Sequence, residues 1–260
     1  MNGTKIYTLY SSSKGNSVYI EAPGTRILID AGGSMRSLQN AMCAVGGALA
    51  KLDAVFVTHA HSDHTGSLVM LMKKHHIPVH MTEDTASEFR ARCAPVCDTV
   101  IVHPRHYTAE VGSLILRSFV TPHDSAGSVG YTVKGPDFHL GLATDMGFVT
   151  EEIFESLSSC DRVIVESNYD CDMLTYGMDP PALKARISSR TGHLSNDGCA
   201  QLICALADRG VKNFMLAHLS ERNNTPETAL RTSCAALTKC GRSADCSILC
   251  AAPDRPTLFD

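Results

Sequence analysis

The chain has 260 residues, a formal net charge of −4, 44% hydrophobic residues and 19% charged ones. That balance is ordinary for a soluble globular protein with a substantial core, and it excludes a general electrostatic pull on polyanions. No apolar run approaches the roughly 20 residues that a membrane span needs. Residues 1–10 also lack the apolar core of a secretion signal, so a cytoplasmic protein with no membrane partner is expected.

Charge is unevenly placed. Residues 101–180 hold 4 basic and 12 acidic side chains, whereas residues 181–260 hold 10 and 7. The C-terminal third can therefore offer a basic surface, although solvated helix faces are the commoner outcome. No composition break or Ser/Pro-rich linker divides the chain, which predicts one domain over residues 1–260. The 11 cysteines are odd in number, and the spacings Cys93/Cys97 and Cys240/Cys246/Cys250 match no zinc-finger pattern. Most read as reduced thiols used as small hydrophobes.

In chain order, residues 4–10, 17–22 and 26–30 read as strands. The polar loop Ser11-Ser12-Ser13-Lys14-Gly15-Asn16 separates the first two, and Pro23-Gly24 closes a hairpin. The buried run Ile27-Leu28-Ile29 ends at Asp30, and a helix is predicted over 35–50. A strand at Ala54-Val55-Phe56-Val57 leads into Thr58-His59-Ala60-His61-Ser62-Asp63-His64-Thr65-Gly66. From there a helix runs to Lys74, with a Met/Leu stripe facing the core. Strand 78–82, helix 83–92 and strand 99–103 follow. Three extended runs come next, at 113–121, 128–134 and 137–144. Helix 150–158, strand 162–166, helices near 180–189 and 196–208, strand 212–217, helix 225–239 and strand 246–250 complete the chain. A mainly β half followed by helices between strands thus occurs twice. Two sheets with helices outside them satisfy that order.

The histidine-rich stretch is the chemical centre. In a strand, His59, His61 and Asp63 share a face and His64 points away; in a helix, His61 pairs with His64 while His59 pairs with Asp63. A strand-to-helix turn is what aims all four at one point. Imidazole nitrogen with carboxylate oxygen suits zinc, and also manganese or iron.

Asp30, the His59/His61/Asp63/His64 cluster, His123, Asp145 and His218 follow one another at the ends of apolar runs, and this order resembles that of the metallo-β-lactamase superfamily. Any one of His123, Asp145 or His218 alone would read as an ordinary strand-end or turn residue. The resemblance implies an αββα four-layer sandwich: two mixed sheets with helices on the outer faces and a two-metal site between them. It implies that His59, His61 and His123 hold one divalent ion and Asp63, His64 and His218 the other. Asp145 then bridges them, with Asp30 orienting the turn from behind. Two such ions, zinc or manganese with iron as a further candidate, bring the pKa of water toward neutrality and leave hydroxide as nucleophile. His75, His76, His80, His103, His106 and His139 read as surface or packing residues.

Glu166-Ser167-Asn168 and Gly192-His193-Leu194-Ser195-Asn196 resemble the Glu and Gly-His-Ser-Thr pair of tRNase Z-type phosphodiesterases, with Leu194 and Ser195 departing from that wording. The likeness implies His193 as proton donor to the leaving oxygen and Glu166 as its support. A phosphodiester needs that help because alkoxide leaves poorly near neutral pH. The bland alternative makes His193 a helix-start residue with Ser195 as cap. For phosphate contact, the candidates are Ser11, Ser12, Ser13, Lys14 and Asn16, with Arg222 beyond His218.

The Ser-rich opening loop, His123-Asp124-Ser125-Ala126-Gly127 and the two runs above resemble the WalJ/YycJ-type branch. That resemblance implies a 5′→3′ exonuclease on double-stranded DNA, with duplex DNA favoured over RNA as partner. The span from Asp145 to His193 leaves no room for the inserted domain of RNase J-type nucleases. A hydrolase of small cyclic phosphodiesters, thioesters or lactams is the alternative on the same scaffold.

Overall fold

The computed structural model describes residues 3–93 and 99–260, so the Cys93/Cys97 spacing ends outside the described residues. The first sheet begins with β1 (Lys5–Ser12), β2 (Gly15–Ala22) and β3 (Thr25–Ile29), paired antiparallel. It continues with β4 (Ala54–Phe56), β5 (Val79–Thr82) and β6 (Val100–His103), paired parallel. Between these strands lie helices α1 (Met35–Ala44), α2 (Ser62–Thr65), α3 (Leu68–His75) and α4 (Glu83–Arg92).

The second sheet repeats the plan. Strands β7 (Thr108–Val111), β8 (Leu114–Val120), β9 (Val129–Lys134) and β10 (His139–Ala143) pair antiparallel. Strands β11 (Arg162–Glu166), β12 (Asn213–Ala217) and β13 (Ser247–Cys250) extend it in parallel. Its helices are α5 (Glu151–Ser158), α6 (Cys171–Tyr176), α7 (Pro181–Ile187), α8 (Asn196–Asp208) and α9 (Pro226–Lys239). The last strand, β14 (Thr257–Leu258), returns to pair with β1. Among the described residues this makes two seven-stranded sheets.

Side chains alternating along each strand divide the core into layers. Ile27, Ile29 and Phe56 face Tyr131, Leu140, Ile164 and Met215 between the sheets. Leu28 and Val55 point the other way, onto Leu38, Met42, Leu71 and Phe89 of the first helical layer. Val163 and Val165 likewise meet Leu157, Ile203, Leu206 and Leu237 of the second. Each such side chain stabilises the fold by roughly 1.5–3 kcal/mol on burial, so the αββα sandwich forms a rigid base for the strand ends.

Three local departures from the sequence reading have physical causes. The helix expected over 35–50 stops at Ala44, where Gly46 turns left-handed at φ 75°, and a short 3-10 turn follows at Leu49–Lys51. The helix after the histidines splits because Ser67 gives its N–H and hydroxyl to the Ala31 carbonyl at 3.0 and 2.7 Å. Strands β7 and β14 and helix α6 were not foreseen; all are short, and β7 and β14 are fixed by pairing with β8 and β1. The ten described cysteines are free thiols, although the Cys204 and Cys240 sulfurs lie 3.2 Å apart.

Candidate metal centre

The carboxyl ends of the parallel strands deliver the polar groups, as expected of α/β layers. Asp30 follows β3, His59 follows β4, Asp145 follows β10, Glu166 ends β11, His218 follows β12, and His123 lies between β8 and β9. Asp30, Asp145 and His218 adopt left-handed φ angles of 62°, 59° and 55°. Such strain costs on the order of 1–3 kcal/mol per residue and persists only where neighbours enforce it. Here Asp30 N–H donates to Phe56 O at 2.7 Å, and His218 is held by Ser11 Oγ at 2.8 Å and Asn168 Nδ2 at 2.7 Å. Close approach seals the turn: a Cβ on Gly32 would lie 1.7 Å from the Asp63 carbonyl oxygen.

Hydrogen bonds orient the imidazoles. A carboxylate only accepts, so a ring nitrogen facing one must donate. His64 Nδ1 donates to Asp30 Oδ2 at 2.7 Å, and Thr58 Oγ1 donates to the same oxygen at 2.8 Å while facing His59 Nδ1 at 3.0 Å. His123 Nδ1 donates to Gly192 O at 3.1 Å, and His218 Nδ1 to Glu166 Oε1 at 2.9 Å. Four imidazoles thus commit Nδ1 to the framework and leave Nε2 for the centre, the arrangement typical of metal-binding histidines.

Those free atoms converge. His59, His61 and His123 form one group of potential ligands, Asp63, His64 and His218 a second, and Asp145 joins His59 and His64 in a third. His61 Nδ1 and His123 Nε2 are 3.2 Å apart, His64 Nε2 is 3.2 Å from Asp145 Oδ2, and His218 Nε2 is 3.3 Å from Asp63 Oδ2. Ligand atoms ~2.0–2.1 Å from a tetrahedral zinc lie ~3.3 Å from one another, so the spacing fits a divalent ion. His59 Nε2 and Asp145 Oδ2 are also buried with no hydrogen-bond partner among the described residues, a cost that a cation removes. Asp30 sits behind the turn, His193 falls in a fourth group with Asp145, Glu166 and His218, and His75, His76, His80, His103, His106 and His139 lie outside all four. His80 and His103 pair with each other at 2.9 Å.

Glu166 is fully buried and completely satisfied. Its Oε1 also accepts from His193 Nδ1 at 2.7 Å, while Oε2 accepts from the N–H groups of Met146 and Leu194 at 2.9 and 3.1 Å. Burial by itself raises the Glu166 carboxyl; the His193 charge and hydrogen bonds from both imidazoles outweigh it and hold the group below its ordinary value. Ser195 does cap α8, accepting from Gly198 N–H at 3.1 Å, yet His193 two residues earlier still meets Glu166. The helix cap and the His193–Glu166 contact are therefore compatible in one stretch.

Burial likewise raises Asp145, and the charges of His218, His64 and His59 bring it well below the usual carboxylate range. His218 shows the reverse balance: burial lowers it, whereas Asp145, Asp63 and Glu166 lift it from 6.5 to about 10. A raised histidine pKa contributes stability that is complete below the unfolded value and is lost as pH rises through the folded one. Metal-free protein is therefore expected to lose stability between pH 6.5 and about 10, measured by urea unfolding after chelation. Unchanged midpoints across that window would contradict the assignment.

Ser13, Lys14 and Arg222 line a cleft of about 490 Å³ beside this centre, with Asp63, Asp145, His193 and His218 in its wall. Ser11, Ser12 and Asn16 are instead buried. Ser11 Oγ donates to Asn16 Oδ1 at 3.0 Å, and Asn16 Nδ2 reaches His64 Nε2 at 3.1 Å, so both brace the centre and do not face the open cleft. The sequence reading also missed Arg186, a cleft cation from α7 that grips Asp124 through two bonds of 2.6 and 3.1 Å. No local pattern marks it. Nor did it assign roles to the buried Asn168, Asn196 and Asn224: Asn196 Nδ2 donates to Asn224 Oδ1, Asn224 Nδ2 to Asn168 O, and Asn168 Nδ2 to His218 O; the Glu-Ser-Asn and Leu-Ser-Asn runs were the available signal for the first two.

Residues 25–219 match the beta-lactamase superfamily domain. Exodeoxyribonuclease WalJ of Streptococcus pneumoniae (serotype 2, strain D39) is 32% identical over 234 residues, covering 88% of this chain and 87% of the relative. Exodeoxyribonuclease YycJ of Bacillus anthracis is 30% identical over 229 residues, covering 87% and 86%. The metallo-beta-lactamase fold protein YhfI from Bacillus subtilis superimposes with a TM-score of 0.77 at 13% identity, covering 99% of this chain and 100% of that one, a likeness of fold alone. With the match running from β3 through β12 and ending just beyond His218, the chain belongs to the metallo-β-lactamase superfamily, among the relatives of the WalJ/YycJ exonucleases.

Proposed function

We propose that this protein is a metal-dependent phosphodiesterase acting on DNA, as a 5′→3′ exonuclease at duplex ends. The single observation that carries the reading is the His193–Glu166 pair at 2.7 Å, with His193 on the cleft wall beside the converging His/Asp groups and Glu166 buried behind it. The exodeoxyribonuclease names of the relatives support the substrate class.

In this reading His59, His61 and His123 would hold one divalent cation and Asp63, His64 and His218 the other, with Asp145 as a carboxylate within reach of both groups; zinc or manganese suits the donors, with iron also compatible. When bound, the two ions supply Lewis acidity and a hydroxide nucleophile at neutral pH. Asp30 fixes His64 and, through Thr58, His59. His193 protonates the departing 3′ oxygen from Nε2. Glu166 keeps that ring in the tautomer whose Nδ1 donates to it, and stabilises the imidazolium before transfer.

Lys14, Arg186 and Arg222 are each tied to a carboxylate at the mouth: Glu221 at 2.6 Å, Asp124 at 2.6 Å and Asp179 at 2.8 Å. The Lys14–Glu221 and Arg186–Asp124 pairs are solvent-accessible, and such pairs are worth about 0–1 kcal/mol, so an entering phosphate can exchange for those carboxylates at little cost; Asp179 is buried and keeps Arg222 anchored at the mouth. Both sheets contribute to the one centre, which supports a single working unit over 1–260. No helix of the described residues is long and apolar enough to cross a membrane, and a cytoplasmic location suits a DNA substrate.

Metal analysis of the purified protein, followed by digestion of end-labelled duplexes and single strands with and without a 5′ phosphate, tests the reading. Stepwise release of nucleotides from 5′ ends of duplexes, dependent on added zinc or manganese, is expected. Hydrolysis of thioesters or cyclic phosphodiesters with DNA left intact would replace it with the small-molecule alternative.

A further inference from the structure

The segment joining β11 to α8 carries two apolar side chains that the fold leaves uncovered. Tyr176, at the end of α6, is 82% exposed and Met178 is 100% exposed, the two most exposed large hydrophobic side chains among the described residues. Their backbone is firmly placed all the same. Gly177, between them, packs so closely that a Cβ there would lie 2.5 Å from Met173 O and 3.0 Å from Asn223 Oδ1. The next residue, Asp179, is buried and accepts from Arg222 Nη1 and Asn223 Nδ2, both at 2.8 Å. Asp179, Arg222 and Asn223 all line the cleft. The chain therefore pins a short pedestal to the cleft rim and presents a phenol and a thioether to solvent from it.

What the cleft itself lacks gives that pair a purpose. Its walls carry histidines, carboxylates, cations, small polar groups and the aliphatic Leu183 and Ile187, with no Phe or Tyr among the described lining residues. Such a surface can hold phosphate and sugar but offers bases no broad ring to stack on. We propose that Tyr176 and Met178 form the platform on which the terminal base pair of a DNA duplex rests while its 5′ strand enters the cleft, an inference that rests on the phosphodiesterase reading above. Aromatic stacking on bases is independent of sequence, and apolar side chains wedge readily against base steps. Arg222, beside the pedestal, supplies positive charge for the flanking phosphate. A second copy of the chain is the weaker occupant, because two side chains fall far short of the roughly 800 Å² per partner of a stable interface.

The metal-loaded full chain carries the test. The double variant Tyr176→Ala/Met178→Ala is expected to raise KM on a blunt duplex about tenfold with kcat unchanged, and to leave hydrolysis of bis(p-nitrophenyl) phosphate at the wild-type rate. Tyr176→Phe should keep the wild-type KM. In chelator-treated protein, a terminal 2-aminopurine in the duplex should be quenched by the wild type and not by the double variant. Unchanged KM and quenching in that variant would overturn the platform and leave the phosphodiesterase reading intact. A wild-type protein that hydrolyses bis(p-nitrophenyl) phosphate but no DNA overturns both. A wild-type dimer that the double variant dissolves, with DNA kinetics unaltered, assigns the pair to self-association and likewise overturns the proposal.

Discussion

Replacing His193 by alanine is expected to slow DNA cleavage by roughly 10²–10⁴-fold, the usual worth of a positioned general acid, or about 3–5 kcal/mol in activation free energy. The geometry makes the effect selective. His193 Nδ1 is committed to Glu166 Oε1 at 2.7 Å; His193 lies outside the His59/His61/His123 and Asp63/His64/His218 groups and joins only Asp145, Glu166 and His218, through the nitrogen that Glu166 already takes. Metal content measured by mass spectrometry should therefore remain that of the wild type. An alkoxide leaving group needs the proton, whereas p-nitrophenolate departs without one near neutral pH. His193→Ala should accordingly be crippled on an end-labelled duplex in single-turnover assays and little affected on bis(p-nitrophenyl) phosphate. Cleavage of the duplex at the wild-type rate would remove the proton-donor role.

Asp145→Ala is expected to act differently, abolishing turnover on both substrates by loss of metal. Asp145 is 2% exposed, its Oδ2 has no hydrogen-bond partner among the described residues, and it stands 3.2 Å from His64 Nε2 and 3.7 Å from His123 Nε2. It is thus the carboxylate that both histidine groups can share, and its negative charge would offset repulsion between two bound cations. Partners that merely orient metal ligands typically cost 10–100-fold in affinity when removed. Removing a shared ligand should cost roughly 10²-fold or more on the same scale, read by competition with a metallochromic chelator. Asp145→Asn keeps a residue type that tolerates the left-handed φ of 59°, and so separates loss of charge from loss of folding. Full metal content at wild-type affinity in both variants would refute the shared-ligand assignment.

The contrast between these variants separates two jobs that the cleft combines. On the proposed reading the His/Asp groups would act on any phosphodiester, whereas the His193–Glu166 pair would matter in proportion to how poorly the leaving group departs.

The amino-acid sequence alone determined the order of the longer strands and helices, though not β7, β14 or α6, together with the strand-to-helix turn that brings His59, His61, Asp63 and His64 together and the strand-end positions of Asp30, Asp145, Glu166 and His218. Those features are legible because apolar runs mark buried strands and polar residues at their carboxyl ends have few other places to go. Tertiary structure alone decided which polar residues of the opening loop face the cleft. The pairing of β1 with β2 shifts register between Thr8 and Tyr10. Such a bulge re-aims the side chains beyond it, so Ser11 turns inward to His218 N–H while Lys14 stays outside with Glu221. The same holds for Arg186, Asp179 and the Tyr176–Met178 pedestal. Helix α7 buries none of its residues, so no hydrophobic period announces which way it points. Its placement follows from Arg186 bonding to Asp124, from His193 N–H donating to Ile187 O, and from Asp179, just ahead of the helix, accepting from Asn223; these partners lie up to 62 residues away in the chain, a distance over which local pattern carries no information.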